Sequence, residues 1–403
     1  MSGRNGKSAR TGVLIVGAGM RAASLMPLLA MMPDVRMVGL ADPIAERREQ
    51  LLADIRPRCS DKIDSTADYR EFLSREDVDA VLAVGNWNSH VPVCIEGMRA
   101  GKYTATEVGC ANSLEDCWDL VRTSEQTGMP CMMLENCCYG RKEMMVLNLV
   151  RKGLFGELIH AKCGYRHNLR GLLTRQNPHF RLDHNIHRNG DLYLTHGVGP
   201  VMQWLGINRG NRFLTIRSTA SKSRSWEHYL KTAEVADQSL KETRFAMGDV
   251  VTSTLTCANG ETVDLYHCVS LPGPYTRFGR LDGTRGCYSE EKGGVWLEGI
   301  SKDPEKYDSL EAVYRRYEHP LWRRYRRKGV DAEAFGHGGM DYLVLRAFLE
   351  AVQKRTRPPI DTFDTATLLS LSVLSEQSVS LGGQPVPVPD FTRGKWLESP
   401  PPQ

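Results

Sequence analysis

The chain has 403 residues, of which 41% are hydrophobic and 25% charged, and a formal net charge of +4. This length predicts two domains, the composition is that of a globular protein, and the small charge gives no support for nucleic acid as a partner. The eleven cysteines show neither a disulfide framework nor metal-ligand spacing, so no metal site is expected. A cytoplasmic location without a membrane partner is predicted, because the opening MSGRNGKSARTG lacks a signal-peptide core and no apolar run could span a bilayer.

The first predicted unit, residues 11–42, has the pattern of a dinucleotide-binding motif. A buried strand at 13–16 meets GAG at 17–19, an apolar helix follows, and a second strand ends at Asp42. A G-x-G-x-x-[G/A] loop, here completed by Ala22, lets the backbone approach a pyrophosphate at a helix N-terminus. Asp42 stands where an acid bonds the adenosine ribose and would repel a 2′-phosphate, so NAD(H) is predicted over NADP(H). The alternative is a tight turn in an α/β domain without a ligand.

The alternation of strands and helices continues to Asn136. Strands are predicted at 78–85, 102–108 and 130–136, with helices at 91–101 and 113–128, the latter capped by Ser113. Repeated βα units predict a parallel sheet, whose ligands lie beyond the carboxyl ends of the strands. Three strand ends are therefore candidate cofactor contacts: residues 86–90, 107–108 and 135–136. The alternative for each is that its polar residues only form the loop.

After Asn136 the regular alternation of strands and helices ends. A helix near 141–152 and a strand at 158–169 precede a polar stretch, 170–190, that is predicted to be a long loop. The stretch NGDLYLTHGVGPV (189–201) is interpreted as a helix, with Tyr193 and His196 about one turn apart on one face.

Strands predicted at 212–220, 249–257 and 262–271 include a hairpin turn at Asn259-Gly260, and helices are predicted at 338–355 and 364–383. The fold class is therefore α/β: a disordered N-terminus (1–10), an NAD-binding Rossmann domain (11–136), an α+β domain with a mostly antiparallel open sheet (137–385) and an extended Pro-rich tail (386–403).

This arrangement resembles the Gfo/Idh/MocA superfamily of NAD(P)-dependent sugar and polyol oxidoreductases. In that superfamily the strand ending at Glu107 usually carries Glu-Lys-Pro, whose lysine assists hydride transfer, whereas this chain has Glu107-Val108-Gly109. The superfamily also tends to place an aspartate four residues before a helical histidine. Here that histidine would be His196, and the fourth residue before it is Leu192. These departures make an ordinary sugar dehydrogenase less favoured.

One branch shares the departures: the chain looks like glycoside hydrolase family 109, the NAD-dependent N-acetylgalactosaminidases. The matching pieces are GAGMR (17–21), Trp87 with His90, Glu107-Val108, Glu135-Asn136, the long segment 179–213, PYTR (274–277), HPLW (319–322) and GHGGMD (336–341). With the glycine fingerprint, the resemblance implies that these residues contact NAD: Gly17, Gly19, Met20, Arg21, Asp42, Trp87, Asn88, Ser89, His90, Glu107, Val108, Asn136 and Tyr193. It implies that these face the sugar: Tyr165, Arg181, Tyr193, Leu194, Thr195, His196 and Tyr275.

Hydrolysis that uses NAD requires temporary activation of the sugar. Hydride leaves C3, the C2 proton becomes acidic, the aglycone is eliminated, water adds at C1, and the ketone is reduced by the same tightly bound cofactor. Such chemistry needs proton-transfer groups and not the paired carboxylates of common glycosidases. His196 is assigned to the C3 hydroxyl, and Tyr193 orients the sugar or bridges to the cofactor. Tyr165 and Tyr275 share the C2 proton and the leaving group without assignment.

Two further expectations complete the site. Arg181 bonds the acetamido carbonyl or a hydroxyl, and Gly197, Gly199 and Pro200 let the helix approach the Rossmann domain. The competing hypotheses are a sugar oxidoreductase that consumes NAD and yields a 3-keto sugar, and a non-catalytic NAD or sugar sensor. The sugar, its anomer and the aglycone stay open, and a homo-oligomer acting on a small-molecule glycoside is expected.

Overall fold

A computed structural model of the chain describes residues 10–175, 179–235, 237–326 and 336–398. Apart from Arg10, the N-terminus predicted to be disordered lies outside these residues. None of the described helices is both long and apolar enough to cross a membrane.

The described strands are β1 (Thr11–Val16), β2 (Val35–Ala41), β3 (Asp64–Thr66), β4 (Ala80–Ala83), β5 (Tyr103–Thr106), β6 (Cys131–Met133), β7 (Leu158–Arg166), β8 (Phe213–Ala220), β9 (Val251–Cys257), β10 (Thr262–Cys268), β11 (Arg280–Gly283), β12 (Gly286–Ser289), β13 (Gly294–Leu297), β14 (Asp308–Ser309) and β15 (Val386–Pro387). The described α-helices are α1 (Met20–Ala30), α2 (Ala45–Ile55), α3 (Arg70–Leu73), α4 (Trp87–Arg99), α5 (Leu114–Thr127), α6 (Arg141–Arg151), α7 (Arg170–Leu173), α8 (Arg181–His187), α9 (Thr195–Trp204), α10 (Ser225–Thr232), α11 (Leu310–Tyr317), α12 (Pro320–Arg326), α13 (Met340–Lys354) and α14 (Thr362–Ser380).

The chain divides into two compact units, and both are discontinuous in sequence. The first unit comprises Met1–Val108, Glu115–Tyr139 and Gly329–Ala366, and the second comprises Gly109–Leu114, Gly140–Lys328 and Thr367–Gln403. The domains predicted from the sequence are continuous, 11–136 and 137–385. They do not include the assignment of Gly109–Leu114 to the second unit or of Gly329–Ala366 to the first. Helix α13 joins the first unit through long-range polar contacts as well as its apolar face: Arg346 Nη1 donates to Asp34 Oδ1 at 2.8 Å, and Gln353 Nε2 donates to Thr11 Oγ1 at 3.1 Å.

The first unit contains the predicted parallel sheet. Its strand order is β3-β2-β1-β4-β5-β6, and each neighbouring pair is parallel. Every residue of β1 and β4 is buried. This burial explains the continuous apolar runs, because a central parallel strand is covered on both faces. The Rossmann-type fold predicted from the sequence is confirmed.

The second unit contains a nine-stranded sheet in the order β14-β13-β12-β11-β7-β10-β9-β8-β15. Among the described strands, β7 and β10 form the parallel pair, and the other neighbours are antiparallel. The turn at Asn259-Gly260 joins β9 to β10, and Gly260 has a φ of +100°, which favours glycine. The Pro-rich tail contributes the edge strand β15, which pairs with β8.

Two local predictions for the segment 170–204 were wrong. The stretch 170–190 contains α7 and α8, although 176–178 lie outside the described residues. These helices have four and seven residues, too few for a periodic apolar signal, and such short helices depend on tertiary packing. The helix predicted over 189–201 begins only at Thr195, so that Tyr193 lies in the turn before α9.

Gly197 permits a close approach between α9 and β7 within the second unit. A Cβ atom at this position would lie 2.7 Å from the backbone nitrogen and 3.0 Å from the backbone oxygen of Gly164, in β7 of the same unit. The glycine therefore allows α9 to lie directly against β7, and the approach of this helix to the Rossmann domain stays a prediction.

We expect Gly197→Ala to lower the free energy of unfolding by about 1–3 kcal/mol, because the new methyl group would press on backbone atoms that have no rotamer to change. The urea midpoint measures this loss. Gly171→Ala is the matched control: it lies in α7, and its Cβ would meet only the Tyr229 hydroxyl at 3.8 Å. Equal destabilisation of the two variants would contradict the close approach.

Candidate active site

The glycine-rich loop lies between β1 and α1. Gly17 has a φ of +108°, and a Cβ there would lie 2.6 Å from Gly85 Cα, so glycine is required. A Cβ on Gly19 would meet nothing within 4 Å, which leaves open space beside the loop. Helix α1 begins at Met20, and the glycine before it has no side chain to cap the first N–H groups. These features fit a pyrophosphate, which binds at such an N-terminus.

Asp42 directly follows β2 and is bonded to that loop. Its Oδ2 accepts a hydrogen bond from Ala18 N at 2.8 Å, and its Oδ1 accepts one from Ile44 N at 2.9 Å. The residue is 8% exposed. Each carboxylate oxygen can accept a further hydrogen bond, so the arrangement is able to receive ribose hydroxyl groups.

The remaining cofactor residues predicted in the first unit occupy the carboxyl edge of its sheet. They are Trp87, Asn88, Ser89 and His90 in the first turn of α4, Glu107 and Val108 after β5, and Asn136 after β6. Asn86 caps α4 by accepting a hydrogen bond from Ser89 N at 3.1 Å. Because β4, β5 and β6 are parallel neighbours, their ends meet at the same edge, where ligands bind in such sheets.

A network centred on Asp341 lies among these residues. Arg21 donates to Glu107 Oε1 through Nε at 2.7 Å, and to both oxygens of Asp341 through its two terminal nitrogens at 2.7 and 2.8 Å. Asn136 and His337 also contact this carboxylate. Burial acts to raise the pKa of Asp341, but the hydrogen bonds from His337 and Arg21 hold that pKa below its usual range. We call these five residues the Asp341 network.

Sequence reasoning did not select Asp341 or His337 as site residues. The segment GHGGMD (336–341) was noticed as a matching piece but received no role. The sequence feature that could have identified Asp341 and His337 as site residues was the glycine content of this segment, together with its acid and its histidine. Its position at the cofactor edge depends on a contact across 320 residues of sequence.

In the second unit, four of the predicted substrate residues form a cluster of rings. The Tyr165 ring is central, with its centroid 4.6 Å from Tyr193, 5.8 Å from His196 and 5.8 Å from Tyr275. The Tyr193 hydroxyl lies 3.3 Å from His196 Nε2. The predicted pairing of phenol and imidazole is therefore present, although the helix begins after Tyr193. Tyr275 is 49% exposed, so the cluster has an open side.

Arg181 joins this cluster from the first turn of α8. Its guanidinium carbon lies 4.0 Å from the centroid of the Tyr193 ring, a cation–π geometry. Leu194 and Thr195, which are predicted to face the sugar, are 2% and 0% exposed. In this conformation they support the start of α9, and their contact with a sugar stays a prediction.

His167 was missed by the sequence analysis. Its Nδ1 lies 2.8 Å from the Tyr165 hydroxyl, and its ring centroid lies 5.2 Å from that of Tyr275. Burial and the nearby charge of Arg181 lower the pKa of His167, so the imidazole is neutral near pH 7 and able to accept the phenolic hydrogen. The two-residue spacing at the end of a strand was the available signal, since such residues share a face.

Asp191 is a second residue that the sequence analysis passed over, one position before the expected Leu192. It is 1% exposed, and its Oδ1 accepts a hydrogen bond from Tyr193 N at 3.3 Å. Its Oδ2 has no hydrogen-bond partner among the described residues. Burial raises the pKa of Asp191 to about 7, so the turn that holds Tyr193 contains a carboxyl group that titrates near neutrality.

We expect Asp191→Asn to flatten the pH dependence of the unfolding temperature. The pKa is about 7 in the folded state and about 3.9 in the unfolded state, so the folded state is favoured while the carboxyl group is protonated. That advantage is lost progressively as the pH rises from about 4 to about 7. Between pH 5 and pH 8 the wild type should lose about 5 °C relative to Asp191→Asn.

Thermal unfolding across this pH range measures the difference. Asp183→Asn provides the control, since the side chain of Asp183 is 75% exposed on α8. If the unfolding temperatures of the wild type and Asp191→Asn changed with pH in parallel, ionisation of Asp191 would not destabilise the folded state and the prediction would be wrong.

Comparison with known proteins first defines the class. Residues 11–135 match the oxidoreductase family with an NAD-binding Rossmann fold. A levoglucosan dehydrogenase in complex with NADH and L-sorbose has a TM-score of 0.72 at 14% identity, over 95% of this chain and 100% of that chain. An NAD-binding oxidoreductase from Klebsiella pneumoniae has a TM-score of 0.73 at 14% identity, over 94% and 100%. At this identity the likeness shows the fold. The first unit is an NAD-binding Rossmann domain of the Gfo/Idh/MocA type.

The second unit and the relatives identify the family. Residues 139–398 match the C-terminal domain of glycosyl hydrolase 109. An alpha-N-acetylgalactosaminidase from Tannerella forsythia is 40% identical over 83% of this chain and 75% of its own length. A glycosyl hydrolase family 109 protein from Stenotrophomonas maltophilia is 37% identical over 96% and 90%. The chain belongs to glycoside hydrolase family 109 and is an enzyme of the glycoside hydrolase type, which confirms the resemblance read from the sequence.

Proposed function

We propose that this enzyme hydrolyses N-acetylgalactosaminides and that NAD stays bound through each catalytic cycle. The sugar is supported by relatives named alpha-N-acetylgalactosaminidase in Tannerella forsythia and Shewanella oneidensis. The mechanism rests on one observation: two tyrosine–histidine pairs, Tyr165 with His167 and Tyr193 with His196, lie in direct ring contact. The reaction has two protons to remove, one from the C3 hydroxyl and one from C2, and it needs a group for each.

Bound NAD would supply the hydride acceptor for sugar C3 and the hydride for its re-reduction. We assign His196 to the C3 hydroxyl proton, with Tyr193 holding the imidazole through the 3.3 Å contact. We assign Tyr165 to the C2 proton. Its hydroxyl proton passes to the neutral His167 at 2.8 Å, the phenolate oxygen takes the C2 proton, and the C1–O bond to the aglycone breaks. Water then adds at C1.

Arg181 and Tyr275 complete the assignment. The guanidinium lies over the Tyr193 ring, where its N–H groups are suited to the acetamido carbonyl or a sugar hydroxyl. Tyr275 is the exposed member of the cluster, and we assign it to donate a proton to the leaving oxygen of the aglycone.

The decisive experiment uses protein purified without added cofactor and a panel of α- and β-p-nitrophenyl glycosides in D2O. We expect release of p-nitrophenol without added NAD, with deuterium at C2 of the sugar. If a shielded base returns the original proton, a C2-deuterated substrate should instead show a primary isotope effect. No release from any glycoside, with NADH formed from added NAD and free sugar, would favour the alternative, an oxidoreductase that yields a 3-keto sugar.

Variants of the two pairs separate the two proton transfers. We expect Tyr165→Phe to lower kcat by about a hundredfold to ten-thousandfold while NADH absorbance still appears on the enzyme, because C3 oxidation precedes C2 deprotonation. In His196→Gln neither NADH nor aglycone should form.

Tyr266→Phe is the matched control, since Tyr266 lies on β10 in contact with Phe278, at 5.0 Å between centroids, outside the cluster. If NADH failed to appear in Tyr165→Phe, the assignment of C2 to Tyr165 would be wrong.

We also propose a cytoplasmic location, supported by the eleven cysteines, an odd number without the spacing of a disulfide framework. Assembly into a homo-oligomer stays a prediction.

A further inference from the structure

The glycine-rich segment 336–341 brings an acid to the cofactor edge from the far end of the chain. Asp341 lies in the first turn of α13, and its side chain is 0% exposed. Gly336 has a φ of +63°, and a Cβ there would lie 2.9 Å from Asp341 Oδ2. Gly338 and Gly339 also have positive φ values, +66° and +93°. Glycine is required in this segment because the backbone turns tightly around the carboxylate.

All of the acceptor capacity of Asp341 is used. Oδ1 accepts hydrogen bonds from Arg21 Nη2 at 2.8 Å and Asn136 Nδ2 at 2.7 Å. Oδ2 accepts them from Arg21 Nη1 at 2.7 Å and His337 Nδ1 at 2.7 Å. A carboxylate offers about four lone-pair sites, so none is left for a ligand. Asp341 therefore acts on a cofactor only through the residues that it holds.

The two residues held by Asp341 from within the Rossmann fold are both predicted cofactor contacts. The paired bonds to Arg21 fix the plane of the guanidinium, because a planar fork meets a planar carboxylate in one orientation. The third bond of that guanidinium, from Nε to Glu107, ties it to the end of β5. The bond to Asn136 fixes the segment that follows β6.

The charges in the network also indicate that Arg21 is held in place. Arg21 carries one positive charge and contacts two carboxylates, those of Glu107 and Asp341. Its charge is therefore compensated within the protein and is not free to neutralise a pyrophosphate. One N–H on each of its terminal nitrogens remains beyond those donated to Asp341 and Glu107. Arg21 thus serves as a rigid donor and spacer at the start of α1.

We propose that Asp341 is the positioning residue of the cofactor site: by holding Arg21 and Asn136 in a single arrangement, it determines how slowly NAD leaves the enzyme between turnovers. Groups that are already ordered do not lose side-chain entropy when a ligand binds, so their contacts contribute fully to affinity. The inference rests on the proposed function only in taking NAD to be a cofactor that stays bound.

The test measures cofactor release in the absence of any glycoside. NADH-loaded enzyme is mixed with excess NAD, and the loss of NADH fluorescence gives the dissociation rate. We expect Asp341→Asn to release NADH about tenfold faster or more, since it loses a charge-assisted bidentate pair. Asp341→Glu keeps the charge with altered geometry and should give an intermediate rate. Glu350→Gln is the matched control, on the same helix with an exposed partner, Lys354, at 3.1 Å.

A double-mutant cycle separates positioning from general loss of stability. Arg21→Lys keeps the charge but cannot form the paired bonds. We expect Arg21→Lys and Asp341→Asn to accelerate NADH release by breaking the same interaction. The double variant should therefore release NADH little faster than either single variant. Fully multiplicative effects would overturn the proposal, because they would mean that Asp341 acts independently of Arg21.

Wild-type release rates in Asp341→Asn, or in Asp341→Glu if the first variant does not fold, would also overturn it. The proposed function fails separately: an enzyme that cleaves no glycoside but releases NADH faster in these variants would retain Asp341 as the positioning residue. A wild-type protein that binds no NADH would overturn both.

Discussion

The second unit depends on the contact between α9 and β7, where two glycines allow backbone to lie against backbone. Gly164 and Gly197 are spaced so that a methyl group at the latter would be 2.7 Å from the strand. Tyr165 follows the first glycine, and His196 precedes the second. The same contact therefore sets the distance between the helix and the strand and the distance between the two tyrosine–histidine pairs. Bulk at this point would separate the groups that have to exchange protons with one substrate.

Two buried carboxyl groups, one in each unit, have opposite surroundings. Asp341 is buried with all of its acceptor sites filled, and it stays ionised because Arg21 and His337 face it. Asp191 is equally buried, but one of its oxygens has no partner among the described residues, and its pKa rises to about 7. A saturated carboxylate gives a rigid arrangement, whereas a half-saturated one gives a group that changes charge near neutral pH.

The parts of the fold that follow from local pattern were predictable. The strand–loop–helix around Gly17 and the acid at Asp42 are carried by neighbouring residues, and the hairpin at Asn259-Gly260 is encoded by two. The parts that were missed depend on distant partners. His167 becomes a site residue only through its bond to Tyr165 on the actual strand, and Asp341 only through a contact with Arg21 across 320 residues. The helix α8 has seven residues, too few for periodicity to show.

The discontinuity of the first unit has a consequence for biosynthesis. Domains near the N-terminus generally fold first while the ribosome is still adding residues. Here the residues of α13 belong to the first unit, and they are translated only after most of the second unit. A nascent chain can form the β1–α1–β2 motif early, but the carboxylate that orders Arg21 arrives late. The Asp341 network can therefore form only after residue 341 has been translated, and a chain truncated before residue 336 would have the glycine loop without His337 and Asp341.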